Sequence, residues 1–119
     1  MGFPKRKTHA FMTNVATGST VVGSPTWVEG YSVVGFQVVG LNTGTVQFEA
    51  TLSMEPTTIT WVATRATNVN DGTAGTTASA DGLYTMDVRA FAAVRTFVTT
   101  LSIVNDARLD VYGILQAEV

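Results

Sequence analysis

The chain has 119 residues, a length typical of one domain. It contains no cysteine and a single histidine, His9, which excludes disulfides, thiolate metal centres and a multi-histidine metal site within one chain. Charged residues make up 13% of the sequence and the net charge is −2, so no strong basic field indicates nucleic-acid binding. We therefore expect no enzyme activity, no cofactor and no metal site.

The composition favours β-structure. Threonine occurs 20 times and valine 17 times, together nearly a third of the chain. Their branched side chains are restricted at χ1 and pack well on a pleated surface. The low charge and high threonine content have two interpretations: a surface that largely meets other protein, because the centres of protein interfaces are depleted in charged residues, or simply a threonine-rich β domain.

Residues 1–25 are predicted to form an extended N-terminal arm outside the folded domain. The arm carries the one cluster of basic residues in the chain, Lys5, Arg6 and Lys7, which would steer it towards an acidic surface. Its apolar residues would then make the contact with a capsid or a neighbouring subunit; these candidates are Phe3, Phe11, Met12 and Val15. In the alternative, part of the arm, such as residues 20–22, completes a sheet of its own domain.

Residues 31–41 and 45–54 are predicted to pair as a β-hairpin around Asn42, Thr43 and Gly44, because Asn and Gly tolerate the positive φ of tight turns. The second of these runs alternates apolar and polar residues, as a half-buried strand does. Val46, Phe48 and Leu52 are expected in the core, and Glu49 on the solvated face.

Four further strands are expected, at residues 59–67, 83–88, 91–104 and 108–118. They are separated by a long loop at 68–81, with a short edge strand near 76–79, and by turns at Asp81-Gly82 and Asn105-Asp106. One helical turn near residues 89–94 is the only helix considered. Trp61, Val111 and Leu115 complete the expected core. Seven or eight strands at this spacing predict an all-β fold for residues 26–119, an antiparallel, jelly-roll-like β-sandwich.

The search for chemical sites yields weak candidates. The carboxylates are scattered, and Glu49 and Asp110 both fall on polar strand positions instead of forming an acid–base pair. Asn70-Asp71-Gly72 resembles a fragment of a calcium loop but lacks its other ligands, so a surface turn is favoured. Trp27, Tyr31, Trp61 and Tyr84 could form a sugar-stacking platform, although Trp61 in an alternating strand is more typical of a sandwich core.

No secretion signal or membrane span is expected. The basic residues 5–7 are followed by a stretch that Thr, Asn, Gly and Ser interrupt, unlike the continuous apolar segment of a signal peptide. The longest apolar-rich stretch, residues 31–41, is too short to cross a bilayer as a helix. We therefore expect synthesis in a reducing cytoplasm, consistent with the absence of cysteine.

The order of motifs from residue 30 to 118 resembles small all-β virion proteins of tailed bacteriophages. The resemblance rests on Gly44-Thr45-Val46-Gln47-Phe48-Glu49-Ala50, then Trp61-Val62-Ala63, Ala80-Asp81-Gly82-Leu83-Tyr84, Val88 and Val94-Arg95. The chain departs from that pattern at Ser53-Met54-Glu55-Pro56, where many such sequences have a Ser-x-Asp-Gly turn.

The resemblance implies a capsid decoration, or cement, protein on the surface of a phage head, made in the host cytoplasm. Its expected partners are the major capsid protein and copies of itself, as a homotrimer, with no nucleic acid and no membrane. Two alternatives stay open: a carbohydrate-binding module of a tail or head fibre, and a structural tail or connector component.

Overall fold

The computed structural model describes residues 5–15, 21–41, 43–52, 59–102 and 108–117. These residues form strands, turns and loops, and no helix occurs among them. The strands are β1 Arg6–Val15, β2 Val21–Val22, β3 Thr26–Trp27, β4 Val33–Val39, β5 Thr43–Thr51, β6 Val62–Ala63, β7 Ala66–Asn68, β8 Ala74–Gly75, β9 Thr77–Ala78, β10 Gly82–Asp87, β11 Ala93–Ser102 and β12 Leu109–Gln116.

The strands form two antiparallel sheets. Sheet A has the order β1-β12-β4-β10-β7-β8, and sheet B has the order β2-β11-β5-β6, with β3 also paired to β11 and β9 to β5. Every strand pairing is antiparallel. The predicted antiparallel β-sandwich is thus confirmed.

The core lies between the inner faces of the two sheets. Val46 and Phe48 of β5 and Val111 and Leu115 of β12 are fully buried, as their alternation predicts. Aromatic rings connect the sheets through the core: the Phe36 ring lies 4.9 Å from that of Phe48, which lies 5.5 Å from that of Tyr84.

The predicted hairpin between residues 31–41 and 45–54 is wrong, because β4 lies in sheet A and β5 in sheet B. Gly40 has a φ of 86°, and a Cβ there would collide with the carbonyl oxygen of Arg108. Glycine at this position therefore allows the backbone of residue 40 to lie close to that of Arg108, at the point where the chain leaves sheet A. Asn42, in the predicted turn, lies outside the described residues.

The strand predicted over residues 59–67 is divided between the sheets. Val62–Ala63 pairs with β5 in sheet B, and Ala66–Asn68 pairs with β10 in sheet A, so the chain changes sheets at residues 64–65. The short edge strand expected near 76–79 is present as β9. Residues 89–90 form a turn, and the helical turn considered near 89–94 does not form.

Two expected core residues are not in the core. Leu52 follows the last residue of β5 and is 71% exposed, because the inward alternation of that strand ends at its C-terminus. Trp61 is half-buried and its ring lies against Arg95.

The prediction of an arm detached from the domain is wrong for residues 6–15. These residues form β1, which pairs with β12 from Arg6 opposite Gln116 to Val15 opposite Leu109. The strand is irregular, with register shifts between Ala10 and Val15. Because of these shifts, inward and outward residues do not alternate regularly along its sequence. Val21–Val22 forms β2, which pairs with β11 in sheet B, as the alternative interpretation of residues 20–22 expected.

Candidate interaction surfaces

The basic cluster lies at one end of the sandwich and is held against it. The Lys5 ammonium lies 4.4 Å from the centre of the Tyr31 ring. Arg6 Nη2 donates to Gln116 Oε1 at 3.0 Å, and Lys7 Nζ donates to Thr26 Oγ1 at 2.8 Å. Lys5 and Arg6 are exposed and Lys7 is half-buried, so two of the three charges are presented to solvent.

The described apolar attachment candidates are not exposed to solvent as Lys5 and Arg6 are. Phe11 and Met12 are buried in the core, and Val15 packs against it half-buried. The Phe11 ring fills the space over Gly113, where a Cβ would collide with it. Phe3 lies outside the described residues. The structure therefore removes Phe11 and Met12 from any attachment surface, because each serves the core of its own chain.

The outer face of sheet A carries exposed apolar side chains across four adjacent strands, β1, β12, β4 and β10; we call this surface face A. Its side chains form rows, since residues paired across strands stand side by side. One middle row consists of Thr8, Ile114, Gly35 and Thr85, and the next of Ala10, Tyr112, Gln37 and Leu83. Neither row contains a charged residue.

Charged residues border these uncharged rows. On one side the row runs Arg6, Gln116, Val33 and Asp87, and on the other side Asp110 stands beside Val39. Leu83 is 50% exposed, Tyr112 46% and Ile114 45%. An uncharged centre with a charged rim matches the depletion of charged residues at the centre of protein interfaces.

A depression of about 260 Å³ lies in the centre of face A, lined by apolar side chains that include Leu83, Tyr112 and Ile114. Gly35 forms part of its floor, and a Cβ on Gly35 would have no neighbouring atom nearer than 4.0 Å. The missing side chain, between Ile114 and Thr85, therefore leaves room for a group from another molecule.

The outer face of sheet B holds a polar cluster instead. Arg95 Nε donates to Glu49 Oε1 at 2.7 Å, and Gln47 Nε2 donates to Glu49 Oε2 at 2.9 Å. The Arg95 guanidinium lies 4.6 Å from the centre of the Trp61 ring. Glu49 is 7% exposed, so its expected place on the solvated face is wrong: these neighbours cover it and replace its water.

The aromatic platform expected from Trp27, Tyr31, Trp61 and Tyr84 does not form. Tyr84 is buried, and its hydroxyl donates to the carbonyl oxygen of Ala80 at 2.8 Å. Burial raises its pKa. Tyr31 lies beneath Lys5. Trp27 is 50% exposed and is paired with Ala93 of β11. Arg95 follows Ala93 by two residues on the same strand, so Trp27 and Arg95 lie on the same face of sheet B.

Of the two carboxylates expected in turns, Asp71 acts within its own turn, whereas Asp81 binds a backbone segment that is distant in sequence. Asp71 accepts hydrogen bonds from the hydroxyl and the backbone N–H of Thr73, which lower the pKa of Asp71, so the segment 70–72 forms the predicted surface turn. Asp81 accepts from the backbone N–H groups of Gly40 and Leu41.

Glu49 and Asp110 lie on opposite sheets and cannot act on one bond. Asp110 accepts from the backbone N–H of Asn14, a residue with positive φ in the irregular part of β1. Across the described ranges, no group of three acidic or histidine side chains is placed to hold a metal ion. In the same ranges, no helix long and apolar enough to cross a membrane is found.

Comparison with known proteins relates the chain by fold to two solved structures, one of them of a prophage-derived protein. No protein-family model and no curated protein sequence matches it. The structure of SPBc2 prophage-derived protein YomS matches with a TM-score of 0.82 and 18% identity, over 98% of this chain and 97% of YomS. PBSX exported protein XepA matches with a TM-score of 0.85 and 15% identity, over 98% of this chain and 39% of XepA. The likeness establishes a shared β-sandwich fold.

Proposed function

We propose that the chain is a structural protein of a bacteriophage or prophage particle and acts through contact with other proteins. The observation that carries the proposal is face A, whose uncharged centre is exposed in the single chain. Exposed apolar patches of this kind mark interaction sites in soluble proteins. The prophage origin of YomS, which shares the fold, supports the same assignment.

The scattered carboxylates support a non-enzymatic role. Asp71, Asp81 and Asp110 each accept hydrogen bonds from the backbone, and Glu49 is paired with Arg95. Each of these carboxylates thus has a structural partner. We therefore expect no turnover of glycans or peptides; turnover that Glu49→Gln or Asp110→Asn abolishes in a folded protein would contradict this.

Within this role we favour capsid decoration, with the major capsid protein as partner and the capsid surface as location. The exposed charges of Lys5 and Arg6 at one end of the sandwich suit an acidic region of a head. Attachment through this end leaves the uncharged rows of face A free for another contact. Lys5, Arg6 and Lys7 thus remain the proposed attachment residues, and the buried Phe11 and Met12 no longer belong to the set.

Addition of the purified protein to undecorated heads tests this proposal. We expect wild-type protein to bind heads and Lys5→Glu to bind more weakly, with a difference that shrinks as salt is raised. Arg65→Glu, the same charge change at an exposed site distant in sequence from residues 5–7, should bind like wild type. Recovery of the protein in isolated tails, and its absence from heads, would contradict decoration and favour a tail or connector component.

A carbohydrate-binding role is the second candidate, and it is favoured by the exposed Trp27 on the face of sheet B that also carries Arg95. An exposed indole stacks on sugar rings, and the guanidinium of Arg95 donates hydrogen bonds. A change in tryptophan fluorescence on adding host cell-wall glycan, absent in Trp27→Ala and present in the control Val62→Ala, would support this role. Unchanged fluorescence over the whole titration would exclude it at that site.

A further inference from the structure

We propose that face A binds face A of a second copy of this chain, about a two-fold axis that runs parallel to the strands, between β12 and β4. The inference deepens the proposed structural role, because it names the partner of the surface on which that role rests. Three features of face A carry it: the symmetry of its strand order, the relation of a projecting residue to a depression, and the placement of opposite charges.

The axis between β12 and β4 divides the four strands of face A equally, with two strands on each side. The four strands of face A are consecutive in sheet A, in the order β1, β12, β4 and β10. Rotation about this axis places β12 over β4 of the second copy, and β1 over β10. Each row of one copy then faces the same row of the other, as in an isologous interface.

In the row of Thr8, Ile114, Gly35 and Thr85, the rotation places a projecting side chain opposite a depression. Ile114 of β12 lies opposite Gly35 of β4 in the second copy, because the two residues are paired in one row of the single chain. The exposed isoleucine side chain projects towards the depression above the glycine, and the two-fold axis produces this contact twice. In the next row Tyr112 lies opposite Gln37.

The border row brings opposite charges together. Arg6 of β1 lies opposite Asp87 of β10 in the second copy, since both residues belong to the row that also contains Gln116 and Val33. Asp87 already pairs with Arg89 at 2.7 Å, and both side chains are more than half exposed. The contact with Arg6 therefore adds orientation and register more than affinity.

The size of face A indicates a weak, reversible pair. Four strands at their usual spacing and three rows of side chains cover about 400 Å², which is below the roughly 800 Å² per partner of a standard interface. The two sheets would pack with their strands within about 30° of each other. We therefore expect dissociation in the range of about 1–100 µM.

Sedimentation equilibrium of the full chain across this concentration range tests the pairing. Wild-type protein should shift from the 12.6 kDa chain mass towards twice that mass as concentration rises. Ile114→Lys and Gly35→Leu should remain monomeric, because one places a charge in the uncharged row and the other fills the depression. Val62→Lys, an exposed valine on the edge strand β6 of sheet B, should pair like wild type. Circular dichroism confirms that each variant is folded.

A charge exchange tests the register. Arg6→Glu and Asp87→Lys should each weaken the pair several-fold, and the double variant should recover most of the loss. A loss that adds in the double variant would overturn this axis. A chain that stays monomeric throughout, or a trimer that Ile114→Lys leaves intact, would overturn the pairing altogether.

These outcomes are separate from those of the head-binding experiment. A monomeric wild-type protein that decorates heads would overturn the pairing and leave the proposed structural function standing. A two-fold pair that binds neither heads nor tails would support the pairing and contradict the proposed function.

Discussion

At the scale of single residues, the most informative side chain is Glu49. It occupies an outward position of a strand, where alternation predicts contact with water, and it is nevertheless buried. Its two oxygens accept hydrogen bonds from Arg95 and Gln47, and the Trp61 ring stacks on the same arginine. A buried carboxylate is tolerated when charge and hydrogen bonds replace its water.

Replacement of Glu49 by glutamine should lower the free energy of unfolding by about 1–3 kcal/mol, because it leaves the Arg95 guanidinium without its carboxylate partner. Urea denaturation measures this loss. Glu29→Gln, at an exposed position, is the matched control and should lie within about 0.5 kcal/mol of wild type. Equal stability of the two variants would show that the ion pair is not needed for the fold.

Truncation of Phe48 to alanine should destabilise the fold by about 3–5 kcal/mol, because it leaves a cavity between the two sheets beside Phe36 and Tyr84. Leu52→Ala provides the contrast. Leu52 is 71% exposed, so its truncation should cost less than about 1 kcal/mol. Thermal or chemical unfolding of both variants measures the difference, and similar losses would contradict the placement of Leu52.

The Asp87 carboxyl should titrate with a pKa of about 2 instead of the usual 3.8, because the Arg89 side chain and backbone N–H donate hydrogen bonds to it. Because the pKa is lower in the folded protein, the ionised Asp87 carboxylate stabilises the fold. This stabilisation is complete above about pH 4 and is lost as the pH falls through about 2. Carbon NMR of the carboxyl group measures the midpoint. Arg89→Gln should raise it, and an unchanged midpoint would exclude the side-chain hydrogen bonds as its main cause.

At the scale of the elements, β1 changes the interpretation of the N-terminal segment. It is the edge strand of sheet A, it pairs with β12, and it supplies Phe11 and Met12 to the core. The three basic residues at its start are consequently held at a fixed end of the sandwich. An attachment surface at this end needs no ordering of a free arm on binding.

Deletion of residues 2–15 should therefore unfold the domain or strongly destabilise it, because it exposes the hydrogen-bonding edge of β12 and removes two core side chains. The point variant Phe11→Ala should cost about 3–5 kcal/mol. Thr8→Ala, at an exposed position of the same strand, should lie within about 0.5 kcal/mol of wild type. A deletion product that keeps wild-type stability in urea would restore the interpretation of this segment as a separate arm.

At the scale of the whole molecule, the two sheets are interleaved along the chain. Successive strands repeatedly change sheets, as at β4 to β5, β6 to β7 and β9 to β10. Neither sheet is therefore formed from a continuous part of the sequence. Loss of one sheet removes the packing surface of the other.

We accordingly expect one cooperative unfolding transition. Backbone circular dichroism and the fluorescence of Trp27 and Trp61 should report the same midpoint, although both tryptophans belong to the sheet B side. Guanidinium titration followed by both signals measures this. Separate midpoints would show that the sheets unfold independently.

Local patterns in the sequence determined much of the fold. The alternation within β5 and β12 identified Val46, Phe48, Val111 and Leu115 as core residues, and the content of threonine and valine indicated an all-β protein. These predictions succeed because side chains of a strand alternate between two faces whatever the strand pairs with. The turn at Asp71 was also evident, since its hydrogen bonds reach only two residues along the chain.

Tertiary structure alone decided which strands are neighbours and which outward positions are covered. A turn-like segment does not reveal whether the chain returns to the same sheet or passes to the other, so residues 31–54 were predicted as a hairpin and instead cross the sandwich. Which residues lie side by side on face A depends on the register of four strands that are distant in sequence. The burial of Glu49 likewise depends on Arg95, 46 residues away. Both features arise from long-range pairing, which the alternation within a single strand does not encode.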